Sequence, residues 1–337
     1  MKFGFLGFAH VHAAGYAECL RALDGAELVA IADDDEARLR DAVARFGGDS
    51  YPSVDDLLRR DDVDAVIVMS ETSRHRRYVE AAAAAGKHVL CEKPIATTHA
   101  DGVAMVAACR DAGVKFQTIF PTRFNPPAIA LRRMVRDGAI GRPLAVKATN
   151  PGQMPPGWFG DPTLAGGGAV MDHVVHVADL LRWTFDQEIV RVYAEVDTRL
   201  HPGSAVDDVG VLMLTLSGGI TASLDASWSR PKTWPTWGGL TMEVVGERGV
   251  IAMDAGAETV ELFDDREPRH ALVSWGGGSD LQLLQAFIDA VRDDTDPPIT
   301  GEDGLRAMEV ALCAYESARR SEPVACPNCL GGENSAA

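Results

Sequence analysis

Between residues 2 and 119 the chain alternates short apolar runs with longer amphipathic stretches, and nothing else in it constrains the fold as strongly. Residues 2–7, 28–32, 64–69, 88–91 and 115–119 read as buried strands, and 13–23, 36–46, 74–85 and 99–112 as the helices between them. This alternation specifies a doubly wound parallel sheet, complete by about residue 121. The strand at 88–91 ends in Glu92-Lys93-Pro94. An ammonium group therefore stands at a strand's carboxyl end, where open parallel sheets hold their ligands. A lone lysine before a proline is more often simply solvated, so the rest of the chain has to decide its role.

The first strand leads through Gly7-Phe8-Ala9-His10-Val11-His12 into a helix. Such a strand-turn-helix unit lets backbone approach a pyrophosphate at the helix N-terminus. Gly7 holds the first glycine position, Ala9 the second and His12 the third, so the fingerprint is degraded. Asp33, closing the second strand, is placed to accept from a ribose 2′-hydroxyl. With Asp34 and Asp35 beside it and no arginine before Arg38, it favours NAD over NADP, while Asp34 and Asp35 suit the start of the next helix. Phe8 and His10 in the turn, Ser70 and Glu71 after the third strand, and His75 in the first turn of the following helix join the cofactor contacts; His75 serves equally well as a cap. The His10/His12 pair also opens a rival reading, a metal-dependent hydrolase, which needs further ligands at later strand ends.

After Arg123-Phe124-Asn125-Pro126 the pattern changes. A helix at 127–137 is followed by strands at 144–149, 189–198, 207–216, 219–228, 240–245 and 249–253, with turn signals at Ser217-Gly218-Gly219 and Gly246-Glu247-Arg248-Gly249. This is an α+β domain built on a large, mainly antiparallel open sheet, closed by helices at 281–291 and 304–319. The boundaries fall at 1–122, 123–325 and a tail at 326–337.

Forty-nine acidic residues against 32 basic ones give −17, which excludes nucleic-acid phosphates and anionic membrane surfaces as general partners. No apolar run reaches the roughly 18 residues of a membrane span, and a cytoplasmic location is expected. The six cysteines sit mostly in apolar segments; Cys326-Pro327-Asn328-Cys329 lacks the second pair that a zinc site needs and reads as incidental.

A second constellation begins at Gly166-Gly167-Gly168. On the helix it opens, Met171, Val174, Val175, Ala178 and Leu181 form the apolar stripe, and Asp172, His176 and Asp179 a polar one beside it. A carboxylate one turn from an imidazole can fix its tautomer and raise its basicity, as a general base requires. His173 points elsewhere, about 100° round the helix, so a metal shared by Asp172, His173 and His176 is disfavoured. The glycine triplet gives room for another molecule at the helix start.

Residues 86–94 together with 166–179 closely resemble the Gfo/Idh/MocA oxidoreductases. Arg123-Phe124-Asn125, Gly138-Ala139-Ile140-Gly141 and Ile299-Thr300-Gly301-Glu302-Asp303-Gly304 extend the resemblance through nearly the whole chain. It implies an N-terminal Rossmann domain and a nicotinamide-dependent dehydrogenase. The implied substrate is a sugar or polyol, and the open C-terminal sheet would build a homodimer or homotetramer. Carried over by position, Lys93 contacts substrate hydroxyl and cofactor, Asp172 orients substrate, His176 is the acid/base, Pro94 packs beside the nicotinamide and Glu92 belongs to the same motif. Val174 replaces a frequent glycine. Arg123, Trp158 and Lys232 are candidates to meet the substrate; Trp158, Trp228, Trp234 and Trp237 suit a sugar face, a core or an interface equally. A non-catalytic nucleotide- or sugar-sensing relative is the remaining alternative, and it would have lost the Lys93/Asp172/His176 set.

Overall fold

The computed structural model describes residues 1–256, 259–264, 269–274 and 278–327. Its first half is a six-stranded sheet of β1 (Lys2–Leu6), β2 (Glu27–Ala32), β3 (Asp49–Tyr51), β4 (Ala65–Val68), β5 (His88–Cys91) and β6 (Phe116–Thr118). The order is β3-β2-β1-β4-β5-β6 with every pairing parallel. Helices α1 (Ala13–Ala22), α2 (Glu36–Phe46), the short α3 (Val54–Leu58), α4 (His75–Ala84) and α5 (His99–Ala112) cover its faces. With both faces covered, β4 is buried at every position, which is why it reads as a continuous apolar run and not an alternation. Strand β3 carries no apolar run and escapes the sequence pattern; it forms by pairing with Ala30–Ala32 at the sheet edge. The strand order reverses between β1 and β4, and ligand crevices lie outside the carboxyl ends at such a point.

The second half contributes α6 (Pro126–Arg136), β7 (Pro143–Thr149), α7 (Pro162–Ala165), α8 (Ala169–Phe185), β8 (Ile189–Asp197), β9 (Val209–Leu216), β10 (Thr221–Ser227), β11 (Thr241–Gly246) and β12 (Gly249–Asp254). A hairpin, β13 (Thr259–Asp264) and β14 (Arg269–Ser274), is followed by α9 (Ser279–Arg292), α10 (Gly301–Arg320) and β15 (Val324–Ala325). The large sheet runs β12-β11-β7-β10-β9-β8-β15 and is antiparallel except where β7 meets β10. Along β9, Leu212, Leu214 and Leu216 are buried, whereas Val211 and Met213 are exposed on the opposite face. Helix α8 packs on the buried side, against β10, β9 and β8.

The closing helices fasten the halves together. α9 lies against α1, where Tyr16 donates to Asp280 at 2.7 Å, and Phe287 meets Phe3 of β1. α10 packs on α5 as well as on α8 and β8. Its start is fixed by a reciprocal cap: Thr300 Oγ1 accepts from the Asp303 amide at 3.1 Å, and Asp303 Oδ2 from the Thr300 amide at 2.9 Å. Among the described residues no helix is long and apolar enough to cross a membrane. Cys329 and residues 328–337 of the expected tail lie outside the described residues.

Candidate active site

β5 stops at Cys91, and the next two residues send opposite charges in opposite directions, as successive residues of an extended chain do. Glu92 turns toward the β1–α1 turn and Lys93 toward α8. Both are buried. Lys93 Nζ lies 2.6 Å from Asp172 Oδ1 and also donates to the Asp172 carbonyl at 3.3 Å. Asp172 Oδ2 accepts from the Trp228 indole at 3.3 Å and lies 3.1 Å from His173 Nε2. Burial alone would raise the Asp172 carboxyl, but Lys93 and His173 overcome it and hold the group well below the usual carboxylate range.

Lys93, Asp172, His173 and His176 border one cavity of about 100 Å³, which His10 and His12 of the first turn and Asn150, Phe159 and Trp237 of the second half also line. His176 faces it with its ring edge-on to Phe120 at 5.9 Å. Burial, and then the nearby Lys93 ammonium, push its imidazole well below the ordinary value. Its lone pair is therefore free at neutral pH.

Two expectations for α8 are revised. The i, i+4 spacing puts Asp172 and His176 on one stripe, but the Asp172 carboxylate turns to Lys93, Trp228 and His173, so it does not fix the His176 tautomer. His173, expected to point away, is drawn in because its Nδ1 reaches the Asn150 carbonyl at 2.5 Å. The glycine triplet also has another cause. A Cβ at Gly168 would collide with the Asp207 carbonyl, and the Asp207 carboxylate takes the Gly168 and Val170 amides at 2.8 Å each. The space at the helix start is filled by the chain's own Asp207, with the Tyr315 hydroxyl 2.7 Å from it.

Arg123 and Asp179 are brought together away from the cavity. Arg123 Nε and Nη2 meet Asp179 Oδ2 and Oδ1 at 2.8 and 2.5 Å, and Nη1 donates to the Pro298 carbonyl. Both are buried, so Arg123 joins the 3₁₀ turn Pro121–Phe124 to α8 and does not line the cavity. Trp158 stacks on Phe159 at 4.0 Å and its indole donates to the Ala9 carbonyl at 3.1 Å, which clasps the second half onto the first turn. Phe159, not Trp158, faces the cavity. Trp234 stacks under Arg230 on the surface, and Lys232 is exposed outside the cavity.

The β1–α1 turn is shaped to receive a pyrophosphate. Gly7 has φ +80°, and a Cβ there would stand 2.6 Å from that of Ser70, so glycine is required where β1 and β4 leave the sheet. Among the described residues the Ala9 and Val11 amides donate to nothing, which leaves two N–H groups at the start of α1 for an anion. His12, where a third glycine would stand, lays its ring toward Glu92, Nδ1 to Oε2 3.3 Å. His10 Nδ1 is 3.8 Å from the same oxygen. Burial would raise the Glu92 carboxyl, yet His10, His12 and Lys93 bring it to about 2. Burial lowers His10 to about 3. These three could collect around a cation; in this arrangement the His12 ring shares a hydrogen bond with Glu92 and His10 Nδ1 accepts the His12 amide at 3.3 Å.

Asp33 is buried at the end of β2 with four donors on it: Phe8 N at 2.7 Å, Asp35 N at 2.9 Å, and Arg38 Nε and Nη2 at 2.8 and 2.7 Å. Arg38, the first arginine after the three carboxylates, covers the Asp33 carboxylate, so a ribose hydroxyl would share that acceptor with it. Phe8 packs between Phe5 and Phe46. Ser70 backs Gly7, and the buried Glu71 lies 3.3 Å from Arg74. His75 differs from expectation: it is fully buried, with Nδ1 facing the Pro94 and Ile95 carbonyls and Nε2 that of Ser70. It braces the loop after Lys93 and presents nothing to a cofactor; Pro94 is buried in that brace.

Residues 1–120 match the oxidoreductase family with an NAD-binding Rossmann fold, and residues 129–252 match the GFO/IDH/MocA C-terminal domain. The chain belongs to the GFO/IDH/MocA oxidoreductases. It is 31% identical to a myo-inositol 2-dehydrogenase of Thermotoga maritima over 98% of this chain and 100% of that one. Against a D-apiose dehydrogenase of Paraburkholderia graminis the identity is 30%, over 95% of this chain and 87% of the relative. Its fold matches that of a probable dehydrogenase from Thermotoga maritima, with TM-score 0.83 and 29% identity over 96% of this chain and 98% of that one, and that of an aldose-aldose oxidoreductase from Caulobacter crescentus complexed with glycerol, with TM-score 0.82 and 26% identity over 96% of this chain and 99% of that one. Family membership makes NAD the cofactor of the first domain, and the free amides of the turn fit it.

Proposed function

We propose that the protein is an NAD-dependent dehydrogenase that interconverts a secondary alcohol and a ketone on a polyol, cyclitol or sugar. The observation that carries this reading is the convergence of Lys93, Asp172 and His176 on one cavity at the carboxyl edge of the parallel sheet. The chemistry that bound NAD⁺ supplies is acceptance of hydride from the carbinol carbon. His176 takes the hydroxyl proton on a ring nitrogen as the C=O bond forms, and Lys93 donates to the oxygen and stabilises its developing charge. Asp172 orients Lys93. Phe159 and Trp237 offer faces to the apolar side of a ring.

The test is titration with NADH and NADPH, read by tryptophan fluorescence, followed by a polyol and sugar screen with NAD⁺. NADH binding with turnover of a polyol is expected; folded protein that binds neither nucleotide would sink the reading. Because His176 is held well below the ordinary 6.5, its base form persists on acidification. The oxidation rate should therefore hold down to about pH 6, where an ordinary histidine base is already protonating.

Assembly is part of the same reading. Val211, Met213 and Val250 are 51%, 45% and 57% exposed on the large sheet, and a second copy laid on that face would cover them. Sedimentation should show a dimer or tetramer that V211K/M213K shifts toward monomer. Action in the cytoplasm is proposed with it, on the buried, thiol-form Cys91 and Cys109.

A further inference from the structure

The motif supplies Lys93, Asp172 and His176, but the second half brings a further ionisable group to the cavity that no part of that scheme uses. His173 is buried, and each of its ring nitrogens faces an acceptor: Nδ1 the Asn150 carbonyl at 2.5 Å and Nε2 the Asp172 carboxylate at 3.1 Å. With the Nδ1 proton given to the Asn150 carbonyl, a neutral ring would set the bare Nε2 lone pair 3.1 Å from the Asp172 carboxylate; a second proton turns that repulsive approach into an ion pair. The ring is gripped from several sides. Asn150 Nδ2 donates back to the His173 carbonyl at 3.0 Å, and Gly152 lies so close that a methyl group there would collide with Cε1 and stand 2.9 Å from Nε2.

We infer that His173 is a positioning residue for the reaction: as an imidazolium clamped between Asn150 and Asp172, it balances the Asp172 charge so that the Lys93 ammonium can turn to the substrate oxygen. The inference rests on the dehydrogenase reading above. Lys93 is buried against Asp172 at 2.6 Å, and to serve an alkoxide it must give up part of that contact. With Lys93 as sole cation, this would leave a buried carboxylate uncompensated, which is strongly unfavourable. With His173 on the second oxygen, Asp172 keeps a charged partner while Lys93 moves. The titratable groups around His173 are Asp172 and His176 on its own helix and Lys93 from the loop after β5, with His10 and His12 of the first turn lining the same cavity; the 150–153 segment packed against it brings none.

The test has two readouts. In cofactor-free protein labelled with ¹⁵N-histidine, the resonances that His173→Gln removes should be those of a doubly protonated ring at neutral pH; a neutral ring there overturns the inference. In kinetics with NAD⁺ and a polyol that wild type oxidises, His173→Gln should lower kcat on the order of 10- to 100-fold with little change in the KM for NAD⁺. Gly152→Ala, which displaces the ring while keeping it, should reproduce that loss, and it serves if the glutamine variant fails to fold. Wild-type kcat in both variants overturns the inference and leaves the reaction standing, whereas a wild type that oxidises no polyol defeats the reaction itself.

Discussion

Replacing Lys93 with methionine should lower turnover on the order of 100- to 1,000-fold while NADH binding changes little. Methionine keeps the length and apolar bulk of the side chain, so the cavity walls stay in place and the ammonium alone is lost. Removing one preorganised donor from a site of developing negative charge costs about 3 to 4 kcal/mol of transition-state stabilisation, because in a buried site no water is oriented to replace it. The same change frees Asp172. Its carboxyl is held down by Lys93 and His173 against the effect of burial, so it should move up when Lys93 goes. The sign follows from the depressed value: this group stabilises the fold above its unfolded value of about 3.9 and loses that contribution as pH falls through the folded one. K93M should accordingly be less stable than wild type at neutral pH, with the difference closing in acid. Lys93→Met with wild-type turnover of a polyol would remove the ammonium from the mechanism.

The parts of this molecule legible in its sequence are those written in local order. Apolar runs mark β1, β2, β4 and β5, which are buried on both faces, and β9, although Val211 and Met213 lie on its exposed face, whereas β6, Phe116-Gln117-Thr118, is buried with only one apolar residue. No such run marks β3, whose Asp49-Ser50-Tyr51 is a strand only by virtue of its neighbour. At the site, Lys93 is legible from its place between a strand and a proline. The direction of a side chain is not. Helical spacing relates Asp172 to His176, while the groups that claim the carboxylate are Lys93, 79 positions earlier, Trp228, 56 later, and the adjacent His173. His173 stands off the polar stripe, and the Asn150-Pro151-Gly152 turn after β7 makes room for it. In the β1–α1 turn, His12 replaces a glycine without blocking it, because Glu92 arrives from β5 to receive the ring.

The largest effect on stability is expected at Arg123, whose partner lies 56 positions away. Arg123 and Asp179 are 7% and 1% exposed and share a two-pronged contact, with Asp303 3.2 Å from the same guanidinium. A buried pair of this kind can be close to neutral in net worth, but breaking it from one side leaves an unpaired charge and costs about 3 to 5 kcal/mol. Arg123→Met should thus lower the midpoint of urea unfolding sharply. Burial already pushes the Asp179 carboxyl up, opposed by Arg123; with the arginine gone it should rise further. A group whose folded value is raised binds its proton more readily in the folded state, so the deficit of R123M should shrink as pH falls through that value. Adding Asp179→Leu removes the stranded charge, and R123M/D179L should recover most of the loss at pH 7. Equal midpoints for R123M and wild type would show that the pair carries no weight in the fold. A double variant no better than R123M would place the cost in the lost contacts with Pro298 and Asp303 and not in the uncompensated carboxylate.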